Sequence, residues 1–320
     1  MSQHGCCPSI AVFRSLAEVP ASFGPSVAAI GNFDGVHCGH RQILASVVAQ
    51  AQALRARSVA ITFDPHPEQF LRPAQAPQLL TPLPERIRLL EKTGIDAVLV
   101  LTFDAELAAL PAREFASRIL AGALGVGALH EGPSFRFGRR AEAGIDELRV
   151  FGEQMGFTLH VHDALHVHGL EVSSSAIRAC VAAGDLRRAR WMLGRPFAVV
   201  STQKRDRGVG TQLLVPTINL GSYDGLLPGF GVYVSRIRVG ERQFKAVTNV
   251  GNRPTFAGAG FSVETHILDS EPVEMDESTR IELEFLLRLR GEVEWPSPEA
   301  LKAQIFKDVA RAQRFFRLVR

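Results

Sequence analysis

The chain has 320 residues, a formal net charge of +3, and 46% hydrophobic against 22% charged residues. That length accommodates two domains with sizeable cores, and the composition is that of a soluble globular protein. No run approaches the ~20 apolar residues of a membrane span, and so mild a charge does not argue for nucleic acid, which needs a concentrated basic face. Met1–Pro8 has neither the basic nor the apolar region of a secretory signal. The four cysteines, Cys6, Cys7, Cys38 and Cys180, form no Cys-x-x-Cys pair and no disulfide framework. Both features lead us to expect a reducing, cytoplasmic setting.

In chain order, Val27–Ile30, Val59–Phe63, Ala97–Phe103, Ala128–His130 and Thr158–His162 read as short buried strands. Helical patterns lie between them at 40–56, 84–93, 113–123 and 144–155. This alternation predicts an α/β domain with a parallel sheet and helices on both faces. Ligands bind such sheets at the carboxyl ends of the strands. The turn after Ile30 and the segment Thr62–His66 both fall at such ends and can converge. Near Gly194 the character changes. Phe197–Ser201, Gly231–Arg238, Gln243–Val250, Ser262–Leu268 and Arg280–Leu289 are strand-like and separated by Gly and Pro turns. They predict a small antiparallel β-barrel. A last helix starts at Ser297-Pro298, a cap followed by a helix-compatible proline. Leu301, Ile305, Val309, Ala312 and Phe316 give it an apolar stripe expected to pack on the barrel.

The most informative stretch is Gly31-Asn32-Phe33-Asp34-Gly35-Val36-His37-Cys38-Gly39-His40. A short apolar strand enters it, glycines bracket a turn, and two histidines three residues apart open a helical pattern. Positions i and i+3 share a helix face. Both imidazoles therefore stand at a helix N-terminus, whose unpaired N–H groups and dipole attract phosphate. Gly31, Gly35 and Gly39 permit close backbone approach. The chemistry suits an ATP chain attacked at its α-phosphorus. A zinc site would need a third ligand, and Cys38 points off the shared face. His160, His162, His166 and His168 also alternate along strand-like sequence, but no carboxylate or thiol stands at a telling spacing, so they read as exposed strand histidines.

The segment Gly31–His40 resembles the adenylyltransferase signature of the bacterial bifunctional riboflavin kinase/FAD synthetase family. Thr62-Phe63-Asp64-Pro65-His66-Pro67, Leu80–Arg86, Phe135-Arg136-Phe137-Gly138 and Val172–Arg178 follow in that family's order, and Leu193–Phe197 resembles its inter-domain junction. The similarity runs from residue 12 to residue 316. It implies a Rossmann-like nucleotidyltransferase domain at 1–190 and a six-stranded riboflavin kinase barrel with a C-terminal helix at 195–320. It implies two reactions, riboflavin to FMN and FMN to FAD, with ATP and Mg²⁺. The expected partners are small molecules, with no nucleic acid or membrane, and the sequence leaves room for a homo-oligomer.

The resemblance also implies roles. His37, His40 and Arg178 would act on the ATP phosphates. Gly31, Asn32, Phe33, Asp34, Gly35, Ser173, Ser174 and Ser175 would bind them, one of the serines doubling as an ordinary N-cap. Asp64, His66, Phe135 and Arg253 would contact flavin. In the second half Val215-Pro216-Thr217-Ile218-Asn219 resembles a Pro-Thr-Ala-Asn motif. Its Thr217 and Asn219 oxygens, on alternating strand positions, are hard ligands suited to Mg²⁺. Glu264 matches the family's catalytic glutamate, and Gly208 and Gly210 sit in the phosphate loop. Three departures stand out: Ser134 where the family carries Asp or Asn, Ser175 where it carries Thr, and Asp206 and Leu214 at usual loop glycines. The last pair leaves a single-activity FAD synthetase with a weakened or flavin-binding-only barrel as an alternative; a flavin- or nucleotide-binding regulatory protein without either activity is a rival of another class.

Overall fold

The computed structural model describes residues 10–203, 217–255, 258–268, 276 and 278–319, with Thr217, 252–255 and 258–260 described for backbone alone. The predicted phosphate loop, with Asp206, Gly208, Gly210 and Leu214, lies outside the described residues. The chain divides into two compact units. One is Met1–Pro77 with Pro82–Val172; the other is Gln78–Thr81 with Ser173–Arg320.

The first unit alternates strand and helix. Its strands are β1 (Ala11–Phe13), β2 (Ser26–Ile30), β3 (Arg57–Asp64), β4 (Ala97–Thr102), β5 (Val126–Glu131) and β6 (Thr158–Val161), with a hairpin of β7 (His166–Val167) and β8 (Leu170–Glu171). Its helices are α1 (Cys38–Leu54), α2 (Pro67–Leu71), α3 (Leu83–Glu91), α4 (Ala105–Ala109), α5 (Ala112–Phe115) and α6 (Ile145–Met155). The six main strands are parallel throughout, in the order β1-β4-β3-β2-β5-β6.

Both faces of this sheet are covered, so its strands are apolar on both sides. Val27, Ala29, Ala60 and Val98 meet Leu44, Val47 and Ala51 of α1 and Leu89 and Leu90 of α3. The alternate residues Ala28, Ile30, Val59, Ile61 and Leu99 pack with Phe115, Ile119, Leu120 and Leu148 on the other face. Apart from β1 at the edge, chain order runs outward from β2 in both directions. The topological switch point, where such sheets take their ligands, is therefore the crevice beyond the carboxyl ends of β2 and β5.

The segment read as one helix at 113–123 is α5 continued as a π-helix over Ala116–Ala123. An apolar periodicity does not separate that wider coil from an α-helix. β1 and the β7–β8 hairpin are too short to leave a periodic signal.

The second unit begins with α7 (Ser174–Ala183) and α8 (Leu186–Leu193). α8 was not apparent in the sequence, because three arginines interrupt a stripe of only four buried residues, Leu186, Ala189, Met192 and Leu193. Then come β9 (Phe197–Ser201), β10 (Thr217–Asn219), β11 (Gly231–Val239), β12 (Arg242–Thr255), β13 (Gly258–Ile267) and β14 (Ile281–Gly291). They form an antiparallel sheet ordered β10-β13-β12-β11-β14-β9. A bridge between Gln203 and Leu220 ties its two edges, as in a sheet closing into a barrel.

The last helix, α9 (Pro298–Leu318), starts where expected, with the Ser297 hydroxyl accepting the Ala300 N–H. Its apolar stripe holds only in the C-terminal half. Val309, Ala312, Phe315 and Phe316 pack on Val232, Val234 and Val247, while Leu301 is exposed. Within that interface Asp308 is 2% exposed. It accepts from Arg290 Nε at 2.9 Å and from Gln304 Nε2 at 2.9 Å. Asp308→Ala would take the carboxylate from Arg290, whose Nη1 keeps the Gly291 carbonyl at 3.1 Å and whose guanidinium lies over Trp295, so urea unfolding should show a loss of about 2 kcal/mol, as for a hydrogen bond to a charged group. Replacing both partners with apolar residues should recover much of it.

Candidate functional site

β2 delivers its last residue, Ile30, to the switch-point crevice, and the Gly31–Val36 turn follows. The Gly31 N–H donates to the Ile61 carbonyl at 2.9 Å, and the Val36 N–H closes the turn on the Phe33 carbonyl at 3.0 Å. Phe33, Gly35 and Val36 have φ of 46°, 85° and 36°. Glycine adopts this region freely; β-branched Val36 does so only under strain of about 1–3 kcal/mol. Such strain persists where packing over-determines it, and Phe33, Asp34 and Val36 are all buried.

The turn ends at His37, the N-cap of α1. His37 Nδ1 accepts the His40 backbone N–H at 3.2 Å. In the neutral ring this leaves Nε2 as the protonated nitrogen. The His37 and His40 rings stack with centroids 3.5 Å apart and planes 14° apart, and Phe33 meets His40 edge-on at 5.2 Å. The two imidazoles thus form one block at a helix N-terminus, where backbone donors and the dipole favour anions.

The second segment supports the same turn from β3. The Thr62 hydroxyl donates to the Asn32 carbonyl at 3.2 Å. Asp64 ends the strand, half-buried. His66 is buried and caps α2, its Nδ1 accepting the Glu68 N–H at 3.2 Å. Phe135 stacks on Phe137 at 5.4 Å; Ser134 is exposed.

The sequence assigns no role to two groups at this end of the sheet, although Arg86 closes the Leu80–Arg86 segment of the family resemblance. Glu131, the last residue of β5, is wholly buried and accepts the Ile30 N–H at 2.7 Å. Burial pushes its carboxyl well above the usual range, against the opposing pull of the Ile30 and Gly132 amides. Arg86 of α3 is also wholly buried. Burial lowers its pKa, while Asp34 and Asp64 oppose that shift. Arg86 shares a helix face with Leu89 and Leu90, and a charge on an apolar stripe is the signal that would have flagged it.

A histidine cluster lies nearby on the α1 face of β5 and β6. His130 Nδ1 hydrogen-bonds His162 Nε2 at 2.8 Å, and Gln50 bridges His130 and His160. The alternating histidines are therefore not all loose surface groups: His162 is half-buried and tied to a residue outside their run. No group of three metal-binding side chains occurs among the described residues. Burial, then the neighbouring His160 and His162, push the His130 pKa down to about 4. Its folded value lies below its unfolded one, so its contribution is complete above pH ~6.5 and is lost as pH falls through that value toward 4. Stability should drop by about 2 kcal/mol between pH 7.5 and pH 5 from this group, and His130→Gln should flatten that slope in urea titrations.

The remaining predicted residues belong to the second unit. Ser173 is the N-cap of α7, its hydroxyl accepting the Ala176 N–H at 3.2 Å, and Ser174 and Ser175 form the first turn. Arg178 Nε donates to the Gln78 carbonyl at 3.0 Å. In the barrel, Asn219 of β10 pairs directly with Glu264 of β13, and Thr217 with His266. Glu264 accepts from the Ser262 hydroxyl at 2.9 Å. Asn219 Oδ1 is buried and accepts no hydrogen bond among the described residues. An orphaned amide oxygen beside a carboxylate is a donor set fitted to a hard cation. Arg253 lies on β12, opposite Gly260.

A switch-point crevice with paired histidines at a helix N-terminus, and a separate barrel with an Asn–Glu pair, define a two-part transferase acting on phosphate esters. Residues 19–176 match the FAD synthetase family and residues 193–316 the riboflavin kinase family. The chain is 38% identical to the bifunctional riboflavin kinase/FMN adenylyltransferase of Pseudomonas fluorescens, over 94% of its length and 96% of the relative's. It is 35% identical to the enzyme of that name from Escherichia coli K12 (92% and 94%), and 32% identical to that of Haemophilus influenzae (90% and 93%). A solved structure named as a macrolide-efflux protein from Streptococcus pneumoniae superposes with a TM-score of 0.84 at 22% identity, covering 95% of this chain and 99% of that one; the likeness is one of fold alone. The chain belongs to the bifunctional riboflavin kinase/FMN adenylyltransferase family. Both domains are present, which favours two activities over a lone FAD synthetase, and riboflavin, ATP, FMN and FAD are its substrates and products. No described helix is long and apolar enough to cross a membrane.

Proposed function

We propose that adenylyl transfer runs at the turn after β2 and riboflavin phosphorylation at the β10–β13 pair of the barrel. In the first reaction an FMN phosphate oxygen attacks the α-phosphorus of ATP, and the bond to the bridging oxygen breaks to release pyrophosphate. Such transfers leave the protein chiefly positioning and charge stabilisation. The stacked pair at the α1 N-terminus is the observation that carries this reading. His37 and His40 donate to the phosphates as negative charge moves onto pyrophosphate. Gly31, its own N–H held by the Ile61 carbonyl, leads into the amides of Asn32, Phe33, Asp34 and Gly35, which follow the phosphate chain. Asp64, His66 and Phe135 are the flavin contacts. Ser173, Ser174, Ser175 and Arg178 are phosphate-binding residues by the family resemblance, with hydroxyl and guanidinium donors at the start of α7.

In the second reaction the riboflavin 5′-oxygen attacks the γ-phosphorus of ATP, ADP leaves, and Glu264 accepts the hydroxyl proton. Asn219, with its orphaned oxygen, and Thr217 are the residues that would hold Mg²⁺. The cation, when bound, neutralises the charge of the β- and γ-phosphates. Arg253 serves flavin, and Gly208 and Gly210 the phosphates. The cysteine usage supports a cytoplasmic enzyme. The test is a pair of assays on purified full-length protein, riboflavin to FMN and FMN to FAD, each with Mg·ATP. Formation of both products supports the reading; FAD formation alone would return the barrel to flavin binding.

A further inference from the structure

Arg86 has no part in the chemistry above, yet it is the largest of the fully buried side chains. Its Nη1 donates to the Thr62 hydroxyl at 3.3 Å and to the Phe63 carbonyl at 3.0 Å. The Thr62 hydroxyl has one proton, and it goes to the Asn32 carbonyl at 3.2 Å. A continuous relay therefore runs from α3, through the end of β3, to the strained turn that precedes His37.

Nε and Nη2 of Arg86 are buried and make no hydrogen bond among the described residues. A buried guanidinium with two idle donors is a costly way to fill a core. The apolar face it occupies is already furnished by Leu89 and Leu90, so an aliphatic residue would serve packing better. Its placement at the carboxyl end of the sheet gives it another use. Charge-assisted hydrogen bonds in series polarise one another and are directional. Such a relay fixes a carbonyl more tightly than dispersion contacts do, and errors of an ångström in a reacting group are expensive.

We propose that Arg86 is a positioning residue for adenylyl transfer, holding the Asn32 turn through Thr62 so that His37 and His40 present to the phosphates in one geometry. The inference rests on the assignment of that turn to ATP. It also places a delocalised positive charge within the field of Asp34 and Asp64, which a lysine point charge would not distribute in the same way.

The experiment uses the full chain and measures kcat and KM for FMN adenylylation, with riboflavin phosphorylation in the same preparation as the control for folding. Arg86→Met should lower the adenylylation kcat by about 10–100-fold with a smaller change in KM for ATP, since misplacement acts on the transition state. Thr62→Val, which keeps the charge and cuts the relay, should lower kcat by about 10-fold. The double variant should be no worse than Arg86→Met, because one path is broken twice. Arg86→Lys should recover little.

Adenylylation within threefold of wild type in Arg86→Met, or multiplying effects in the double variant, would overturn the proposal. Should Arg86→Met lose both activities through misfolding, Thr62→Val decides alone: wild-type kcat there overturns it as well. His37→Ala separates the two readings. If it leaves adenylylation intact, the site assignment has failed. If it abolishes the reaction while Arg86→Met does not, only the role of Arg86 has.

Discussion

Replacing His37 or His40 with alanine should reduce FMN adenylylation by on the order of 10²–10³-fold each, the range for losing one preorganised donor to developing charge. The two variants will not be equivalent in stability. His37 is the N-cap of α1, and its Nδ1 is the acceptor for the His40 N–H. Its removal therefore costs about 1 kcal/mol of helix stability in addition to activity. Asparagine is a good cap, so His37→Asn should restore thermal stability without restoring the rate. His40→Ala keeps the backbone donor to the cap and loses the ring that stacks on His37 and meets Phe33 edge-on, so its stability loss should be smaller. Riboflavin phosphorylation should persist in all three, because both histidines lie in the first unit and Glu264 in the second. The measurement is FAD formation from FMN and Mg·ATP alongside thermal unfolding. Adenylylation near the wild-type rate in both alanine variants would remove the histidines from the mechanism.

The parts of this protein that were legible in the sequence are those with a strong local signal. The parallel sheet follows from apolar runs such as Val59–Phe63, whose residues pack on both faces. The barrel strands announce themselves because Gly and Pro turns separate them; Phe197–Ser201 matches its strand residue for residue. The α1 N-terminus was readable because glycines, an acid and two histidines coincide with a change of period. What escaped has a long-range origin. Nothing near Arg86 in sequence says that its guanidinium reaches Thr62, 24 residues away. Glu131 reads as a polar end to a strand until the parallel pairing of β2 with β5 brings it to the Ile30 N–H, 101 residues away. His130 looked like one more strand residue, and only register with β6 places it against His160. The exposed Leu301 shows the converse: a helical stripe is a statement about one face, and the sheet beneath α9 covers only its C-terminal half.

Glu264→Gln should stop riboflavin phosphorylation while leaving FMN adenylylation at its wild-type rate. Glutamine keeps the shape of the side chain and an oxygen to accept the Ser262 hydroxyl, which Glu264 holds at 2.9 Å. It loses the one property the reaction uses, a carboxylate able to take the 5′-hydroxyl proton. Loss of a positioned base costs about 10²–10⁴ in rate. Asn219 provides the contrast. It faces Glu264 across the β10–β13 pair, and its buried oxygen is placed to bind rather than to move a proton. Asn219→Ala should therefore raise the Mg²⁺ concentration needed for half-maximal kinase activity, with part of the rate recovered at high Mg²⁺. Glu264→Gln should show no such recovery. Titrating Mg²⁺ at saturating ATP in both variants distinguishes a ligand from a base. A Glu264→Gln rate that climbs back with Mg²⁺ would mean that the carboxylate binds the cation and that the proton leaves by another path.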